Sequence, residues 1–506
     1  MKNQTLKFYG LTFVLFAGFA LFAHQSSAQK AKQNWRPNIP KTWVDAEMEE
    51  LEVPLADPIA SPKHISAADY YRIPEIKIYQ GYPVYAPGKE PPGYLEWLKK
   101  QEPQIIFDAS KLKTVADWIA AGELVFHAPI GPDVVTPDHH SRNPKWYEKS
   151  GTNMLKDGRY PYAQYIVREK GKVEYGGFSC AGCHTRVMPD GTVLKGAQGN
   201  NADDREWALF LEKQGVEEAR KLERNFYGAP WVKPDPQANL DQQSLAEIVG
   251  RHYVIPPGVS TRQGTATALP ARVPDLIGIK ERKYLDSTGL QLHRGPVDLM
   301  RYAALNQGMD ALSSYHGFMP GGKDFKTLPD LSKQERYSDE QLYALAMFLY
   351  SLKPPPNPNK FDALAERGQQ VFQSEGCASC HTPPLYTNNK LMPVDGFTVP
   401  PEHKKKYDIL PMSIGTDPRS ALTTRRGTGY YKVPSLKGVW YRGPFEHNGS
   451  VATLEDWFDT NRLKDDYVPT GFKGYGVKTR AVKGHEFGLQ LSPEDKKALI
   501  AFLKTL

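Results

Sequence analysis

The chain has 506 residues, too many for one ordinary core, and its 40% hydrophobic and 24% charged residues exclude a disordered polymer. Its formal net charge of +7 is a modest surplus without the clustering that nucleic-acid binding needs, so it reads as solvated surface or as a docking face for an acidic redox partner. The 42 prolines and 42 glycines predict many turns and long connections.

In chain order, the first element is a secretory signal over residues 1–28: Lys2 and Lys7, a short apolar run from Leu11 to Phe22, and small residues ending at Ala28. The run is short for a bilayer, no cysteine follows the cut site to carry a lipid, and no later run approaches membrane length. The mature chain is therefore expected to be exported, most simply to the periplasm, with no stable membrane insertion. Residues 29–110 form a Pro-rich extension to which the sequence assigns no role.

Ala121-Gly-Glu-Leu-Val-Phe126 closes a predicted helix, and Cys180-Ala-Gly-Cys183-His184 follows downstream. The pattern recurs as Cys377-Ala-Ser-Cys380-His381, after a second predicted helix closing at Arg367-Gly-Gln-Gln-Val-Phe372. C-x-x-C-H is the c-type haem attachment pattern: two thiols three positions apart reach both arms of one porphyrin, and the next residue sets an imidazole under the iron. A redox disulfide or a shared zinc site fits poorly, because the histidine occurs twice and no other cysteine exists. Two covalently bound haems c are expected, on Cys180, Cys183 and His184 and on Cys377, Cys380 and His381, with His184 and His381 as proximal iron ligands.

Between the motifs, Val273-Pro-Asp-Leu-Ile-Gly278 matches Val433-Pro-Ser-Leu-Lys-Gly438, and the same offset pairs Arg282 with Arg442 and Gly289 with Gly449. Short predicted helices follow both, over 297–302 and 453–458. The stretch Lys353-Pro-Pro-Pro-Asn-Pro-Asn-Lys360 reads as a stiff linker. Near the end, His485 precedes a helix start at Ser492-Pro493 whose apolar face carries Leu499, Ile500, Phe502 and Leu503. That placement suits a distal ligand to the second haem; the alternative is a solvated loop histidine. The first motif has no comparable ligand: Met188 is too close to His184 to wrap round, and no histidine occurs between His184 and His252. The first iron is expected to stay open unless His252, His293 or His316 reaches it. The fold expected is mainly α, with two c-type cytochrome domains rich in long loops and related by an internal repeat: an N-terminal haem domain over 111–352, the linker 353–360, and a C-terminal haem domain over 361–506.

Val433-Pro-Ser-Leu-Lys-Gly438, Arg442-Gly-Pro-Phe-Glu-His447-Asn-Gly-Ser450 and the upstream Cys377-Ala-Ser-Cys380-His381 together resemble the bacterial di-haem cytochrome c peroxidase superfamily. This group includes the methylamine dehydrogenase maturation enzyme and the di-haem rubber oxygenases. The resemblance runs from about residue 110 to the end and is strongest after Arg367. It implies that the haem on His381 is a low-spin relay with His485 in the distal ligand position, and that peroxide or oxygen is handled at the haem on His184. Many peroxidases carry Met where this chain has His485, and a removable distal histidine after the first motif that this chain lacks. The longer spacing between motifs is closer to the rubber oxygenases.

Splitting peroxide at an open iron needs a group that moves a proton between the two oxygens and a donor that stabilises the leaving one. In the segment matching the family's distal loop, Glu281 or His293 is expected as acid/base and Arg282 as stabiliser, although Arg282 could instead pair with a haem propionate as its partner Arg442 could. His447 reads as a packing residue. Trp207, Trp231 and Tyr284 are candidates to relay electrons between haems. The family also binds calcium between its domains, but no specific ligand motif supports it here. Three readings follow: peroxide reduction with electrons from a small cytochrome c or cupredoxin, oxidation of an organic substrate with O2, or electron transfer without catalysis.

Overall fold

A computed structural model describes residues 35, 37–261, 265–308, 311–320 and 334–506; the signal segment lies outside them. About 34% of the chain is helical and 13% is strand. The helices that frame the site are, in chain order, α1 (Val115–His127), α2 (Pro144–Ser150), α3 (Cys180–Cys183), α4 (Asp203–Leu211), α5 (Val216–Tyr227), α6 (Leu245–Tyr253), α7 (Pro296–Gln307), α8 (Asp339–Ser351), α9 (Ala363–Ser374) and α10 (Pro493–Lys504). No helix among the described residues is long and apolar enough to cross a membrane.

Two helix crossings organise the packing, and local sequence explains both. Helix α1 starts at a capping box in which Thr114 and Asp117 satisfy each other's backbone N–H groups. It buries Trp118, Ala121, Gly122, Val125 and Phe126, the single stripe that helical spacing produces. Helix α8 has its own box, Ser338 with Gln341. The two meet at Gly122, where a Cβ would overlap the carbonyl of Ala344 and press on Phe348. Helix α9 is capped by Asp362, and α10 by Ser492 with Pro493 at its first turn. They meet at Gly368, where a Cβ would overlap the carbonyl of Ala498 and press on Phe502. Phe126 and Phe348 stand 5.3 Å apart across the first crossing, as Phe372 and Phe502 do across the second. Glycine is required at both positions because the backbones approach within van der Waals distance.

Each crossing carries one motif. Ala181 is buried in the core of α1, α7 and α8, with Cys180 packed against it. Cys377 and Ala378 pack on the core formed by Phe372, Val439, Phe445, Leu499, Phe502 and their neighbours. Residues 352–362, the Pro-rich stretch and its flanks, have no helix or strand.

The segment before α1 is built into this framework. Trp43, Met48, Leu51, Tyr70, Ile73 and Ile78 are buried in the same core as α1 and α8. Four strands form an antiparallel sheet, β1 (Gly81–Tyr85), β2 (Asp133–Val134), β3 (Arg159–Glu169) and β4 (Lys172–Gly176), in the order β1-β3-β4-β2. Strand β1 pairs Gly81 with Ile166 and Tyr85 with Arg159, with a register shift at Pro83/Val84. Tyr160, Tyr162, Tyr165 and Tyr175 are buried together with Trp146 and Tyr147 of α2. This aromatic sheet adds a β layer to the mainly helical architecture read from the sequence.

Candidate functional site

None of the four cysteines is in a disulfide, and each Cys-x-x-Cys is followed by a histidine held by the backbone. His184 places Nδ1 3.0 Å from the carbonyl of Pro274, and His381 places Nδ1 3.2 Å from the carbonyl of Tyr386. A Nδ1–H donated to a carbonyl leaves Nε2 as the ligating atom, the outer-shell arrangement that orients metal-bound imidazoles. Burial lowers the His381 pKa, keeping the ring neutral and able to ligate.

His485 is brought to the second motif. The residue is half-buried, and its buried Nδ1 has no hydrogen-bond partner. Burial first, then the charge of His381, push its pKa down to about 4, so it is a neutral imidazole near His381 at neutral pH. Arg462 fixes the loop that carries it: this fully buried guanidinium donates to the carbonyls of Trp457 (2.8 Å), Val482 (2.9 Å) and His485 (2.6 Å). Trp457 and Phe487 flank the ring at 5.5 Å. An orphaned buried nitrogen costs about 1–3 kcal/mol unless a ligand takes it, so this geometry fits an iron between His381 and His485.

The two Val-Pro-x-Leu segments converge on a cavity lined by Arg272, Arg282, Arg442, Asp275, Tyr284 and His447, among others. Arg282 donates to the carbonyls of Asp275 and, at 2.8 Å, Ile277; Arg442 donates to the carbonyl of Ser435 at 2.8 Å. Burial and the neighbouring Arg442 and Arg282 push Arg272 down to about 10. The Nε of Arg442 is buried without a partner. Four guanidiniums (Arg272, Arg282, Arg426 and Arg442) and Lys432 against the two carboxylates of Asp275 and Asp286 make a site short of negative charge, which fits the carboxylates of haem propionates.

Cys183 lines a separate cavity of about 440 Å³. Its walls include Trp146, Tyr175, Phe178, Trp207, Phe210 and Tyr227, with Asp203 and Glu206 of α4 among them. The Nε1 of Trp207 is buried with no partner. Burial first, then the charge of Asp204, push Asp203 up to about 7; burial first, then Asp203, push Glu206 up to about 8. Tyr160 donates to Glu206 at 2.7 Å. A protonatable carboxyl pair and an unsatisfied donor therefore share one aromatic chamber with the Cys183 thiol. No sequence pattern announces this pair, because acids at the first turn of a helix are ordinary dipole partners.

The residues expected to perform acid/base chemistry lie elsewhere. Glu281 is exposed, 3.9 Å from Lys437. His293 is buried with both nitrogens engaged, Nδ1 at 2.6 Å from the carbonyl of Arg282 and Nε2 at 2.7 Å from the Tyr350 hydroxyl. Neither lines the Cys183 cavity, and of the three only Arg282 lines the arginine cavity. His252 sits between Asp204 (2.8 Å) and Glu223 (2.7 Å), fully buried, and His316 is exposed. Met188 packs against Ala197, Ile277 and Tyr441. His447 packs against Tyr431 with its ring tilted by 34° at 4.7 Å and contacts Glu446. Of the aromatic candidates, Trp207 lines the Cys183 cavity, Tyr284 the arginine cavity, and Trp231 stacks on Tyr315.

No family model matches the chain. Cytochrome-c peroxidase IdrP1 of Pseudomonas sp. is 27% identical over 168 residues, 29% of this chain and 41% of that protein. Cytochrome c551 peroxidase of Pseudomonas aeruginosa is 23% identical over 192 residues, 36% of this chain and 47% of that protein. The uncharacterized protein y4iJ of Sinorhizobium fredii is 31% identical over 135 residues, 20% of this chain and 22% of that protein. The chain thus spans less than half the length of each of these curated relatives. A solved structure of a MauG-like protein aligns with 57% of this chain and 88% of its own at 17% identity and a TM-score of 0.29.

Proposed function

The chain is a distant relative of the di-haem cytochrome-c peroxidases, and from that premise we propose that it is an exported di-haem c-type oxidoreductase reducing hydrogen peroxide beside His184. Electrons arrive from a small cytochrome c or cupredoxin and pass through the His381 centre. The balance is two electrons and two protons per peroxide, giving two waters. The observation that carries this reading is an asymmetry. A neutral histidine with an orphaned nitrogen stands near His381, whereas the chamber at Cys183 is lined by carboxyls and an unpaired indole donor.

When bound, the haems supply redox-active iron to the peroxide and to the relay between centres. His184 would hold the iron of the first haem, and His381 and His485 would hold that of the second. Bis-histidine ligation makes that centre a low-potential relay relative to a His/Met pair. Arg272, Arg282 and Arg442 receive propionate charge and fix the orientation of both groups. At the reactive centre, Asp203 and Glu206 take the acid/base role expected of Glu281 and His293. Their carboxyls hold and release a proton near neutral pH, and the Trp207 indole N–H donates to the departing oxygen.

The matched geometry supports reading the chain as two haem modules of one ancestry. Gly278 and Gly438 share φ near 74° and 73°, Asp286 and Glu446 φ near 62° and 66°, and Gly289 and Gly449 φ near 66° and 72°. The paired glycine crossings at Gly122 and Gly368 point the same way.

A second reading has its own support. The aromatic walls of the Cys183 chamber suit an organic substrate oxidised with O2. Peroxide-dependent oxidation of reduced cytochrome c, lost in Glu206→Gln with both haems retained, supports the peroxidase reading. Oxygen uptake driven by an aromatic or apolar substrate, with no peroxide turnover, favours the second.

A further inference from the structure

Beside the Cys183 chamber lies a cluster that the haem chemistry does not use. Asp133 of β2, His139 and His140 bring one ligand atom each to within 4.8 Å of one another. The backbone sets this up. Asp133 is held opposite Tyr175 by the strand ladder, and His139 caps the 3-10 turn His140–Arg142.

The three groups are arranged as ligands rather than as a salt bridge alone. His139 is almost fully buried, with Nε2 2.8 Å from Asp133 Oδ2. Its Nδ1 is 2.7 Å from the Ser141 hydroxyl, which is 3.2 Å from the Tyr165 hydroxyl. That bond and the Ser141 backbone N–H, which donates to the same Nδ1 at 3.2 Å, fix the ring with Nε2 on Asp133; when an ion takes Nε2, the proton moves to Nδ1, which then donates to the Ser141 hydroxyl as the outer-shell partner. The His140 ring lies 4.1 Å from that of His139 and is wedged between Trp146 (5.0 Å) and Tyr175 (4.8 Å). Burial and His139 push the His140 pKa down to about 4, leaving a neutral imidazole.

We propose that Asp133, His139 and His140 form a third metal centre, binding one divalent first-row transition ion of the zinc or copper class. Two imidazoles and a carboxylate are the donor set such ions prefer over calcium or magnesium. Ligands at about 2.0–2.2 Å from one ion stand roughly 3–3.6 Å apart, so side-chain rotations of about an ångström close the site. Asp133 and His140 both line the chamber that contains Cys183. The remaining coordination positions therefore open onto the same space as the reactive haem, and the ion takes water or substrate there rather than being sealed in.

The test uses tag-free holoprotein with both haems, stripped with a chelator and dialysed against Zn²⁺ and, separately, Cu²⁺. Metals are counted by plasma mass spectrometry, with iron as the internal standard. The expected result is one zinc for every two irons, with affinity lowered at least tenfold in Asp133→Asn and His140→Ala. The Asp133 side chain is 60% exposed, so its replacement leaves the fold intact. Iron content and haem spectra stay unchanged in both variants, which separates this centre from the haem assignment. Zinc and copper retained equally by the wild type and Asp133→Asn, or by neither, overturns the proposal.

Discussion

At the scale of single residues, the assignments rest on what burial does to titratable groups. His485→Ala removes the only ligand proposed for the distal side of the His381 iron, so that haem should turn high-spin in its absorption and paramagnetic spectra while the His184 haem is untouched. An unchanged low-spin signal would identify another residue as the ligand. In the proposed mechanism Asp203 and Glu206 act on peroxide first as a base, which requires them to be ionised. Turnover should therefore rise with pH through about 7 to about 8, their raised pKa values, as one coupled pair. Glu206→Gln should lower kcat/KM by about 10²-fold or more, the usual worth of a positioned proton carrier, and should erase that limb. His252 behaves oppositely: burial alone would lower its pKa, but Glu223 and Asp204 outweigh it and raise the value to about 9. A raised histidine stabilises the fold fully below its unfolded pKa near 6.5 and loses that contribution as pH climbs through about 9. Chemical denaturation should show on the order of 3 kcal/mol less stability at the alkaline end, and His252→Gln should flatten the dependence.

At the scale of elements, the helices that the sequence predicts, closing at Phe126 and Phe372 and starting at Ser492, all take part in the two crossings. Ala121-Gly and Arg367-Gly recur because each glycine lets two backbones meet, and the caps at Thr114, Ser338, Asp362 and Ser492 follow ordinary rules. Gly122→Ala or Gly368→Ala should destabilise its own crossing by about 1–3 kcal/mol, the usual cost of overpacking. Denaturation followed in the Soret band of the matching haem reads this directly. The sheet was not legible in the same way. Tyr160 and Tyr162 alternate in β3, but β1 pairs with it, and β2 with β4, from far along the chain, and such non-local pairing leaves no local pattern. The burial of Trp43, Met48 and Leu51 in the core of α1 was hidden for the same reason.

At the scale of the whole molecule, the two C-x-x-C-H motifs stand out in the sequence because that pattern has a fixed spacing, and His485 because it lies just before the helix start at Ser492. Asp203, Glu206 and the Asp133–His139–His140 cluster were not, because what gives them chemical interest is a shared chamber rather than a shared sequence pattern. The arginine cavity joins both views. Arg282 and Arg442 stand at matching positions of the two Val-Pro-x-Leu segments, and the fold brings both, with Arg272, into one cationic pocket. That pocket lies where the segments following each motif converge. The division of labour between those haems is the central claim. Electron paramagnetic resonance of the oxidised holoprotein, with haems counted by pyridine haemochrome, tests it most directly. Two haems per chain giving one high-spin and one low-spin signal is the predicted result; two low-spin signals would contradict an open iron at His184.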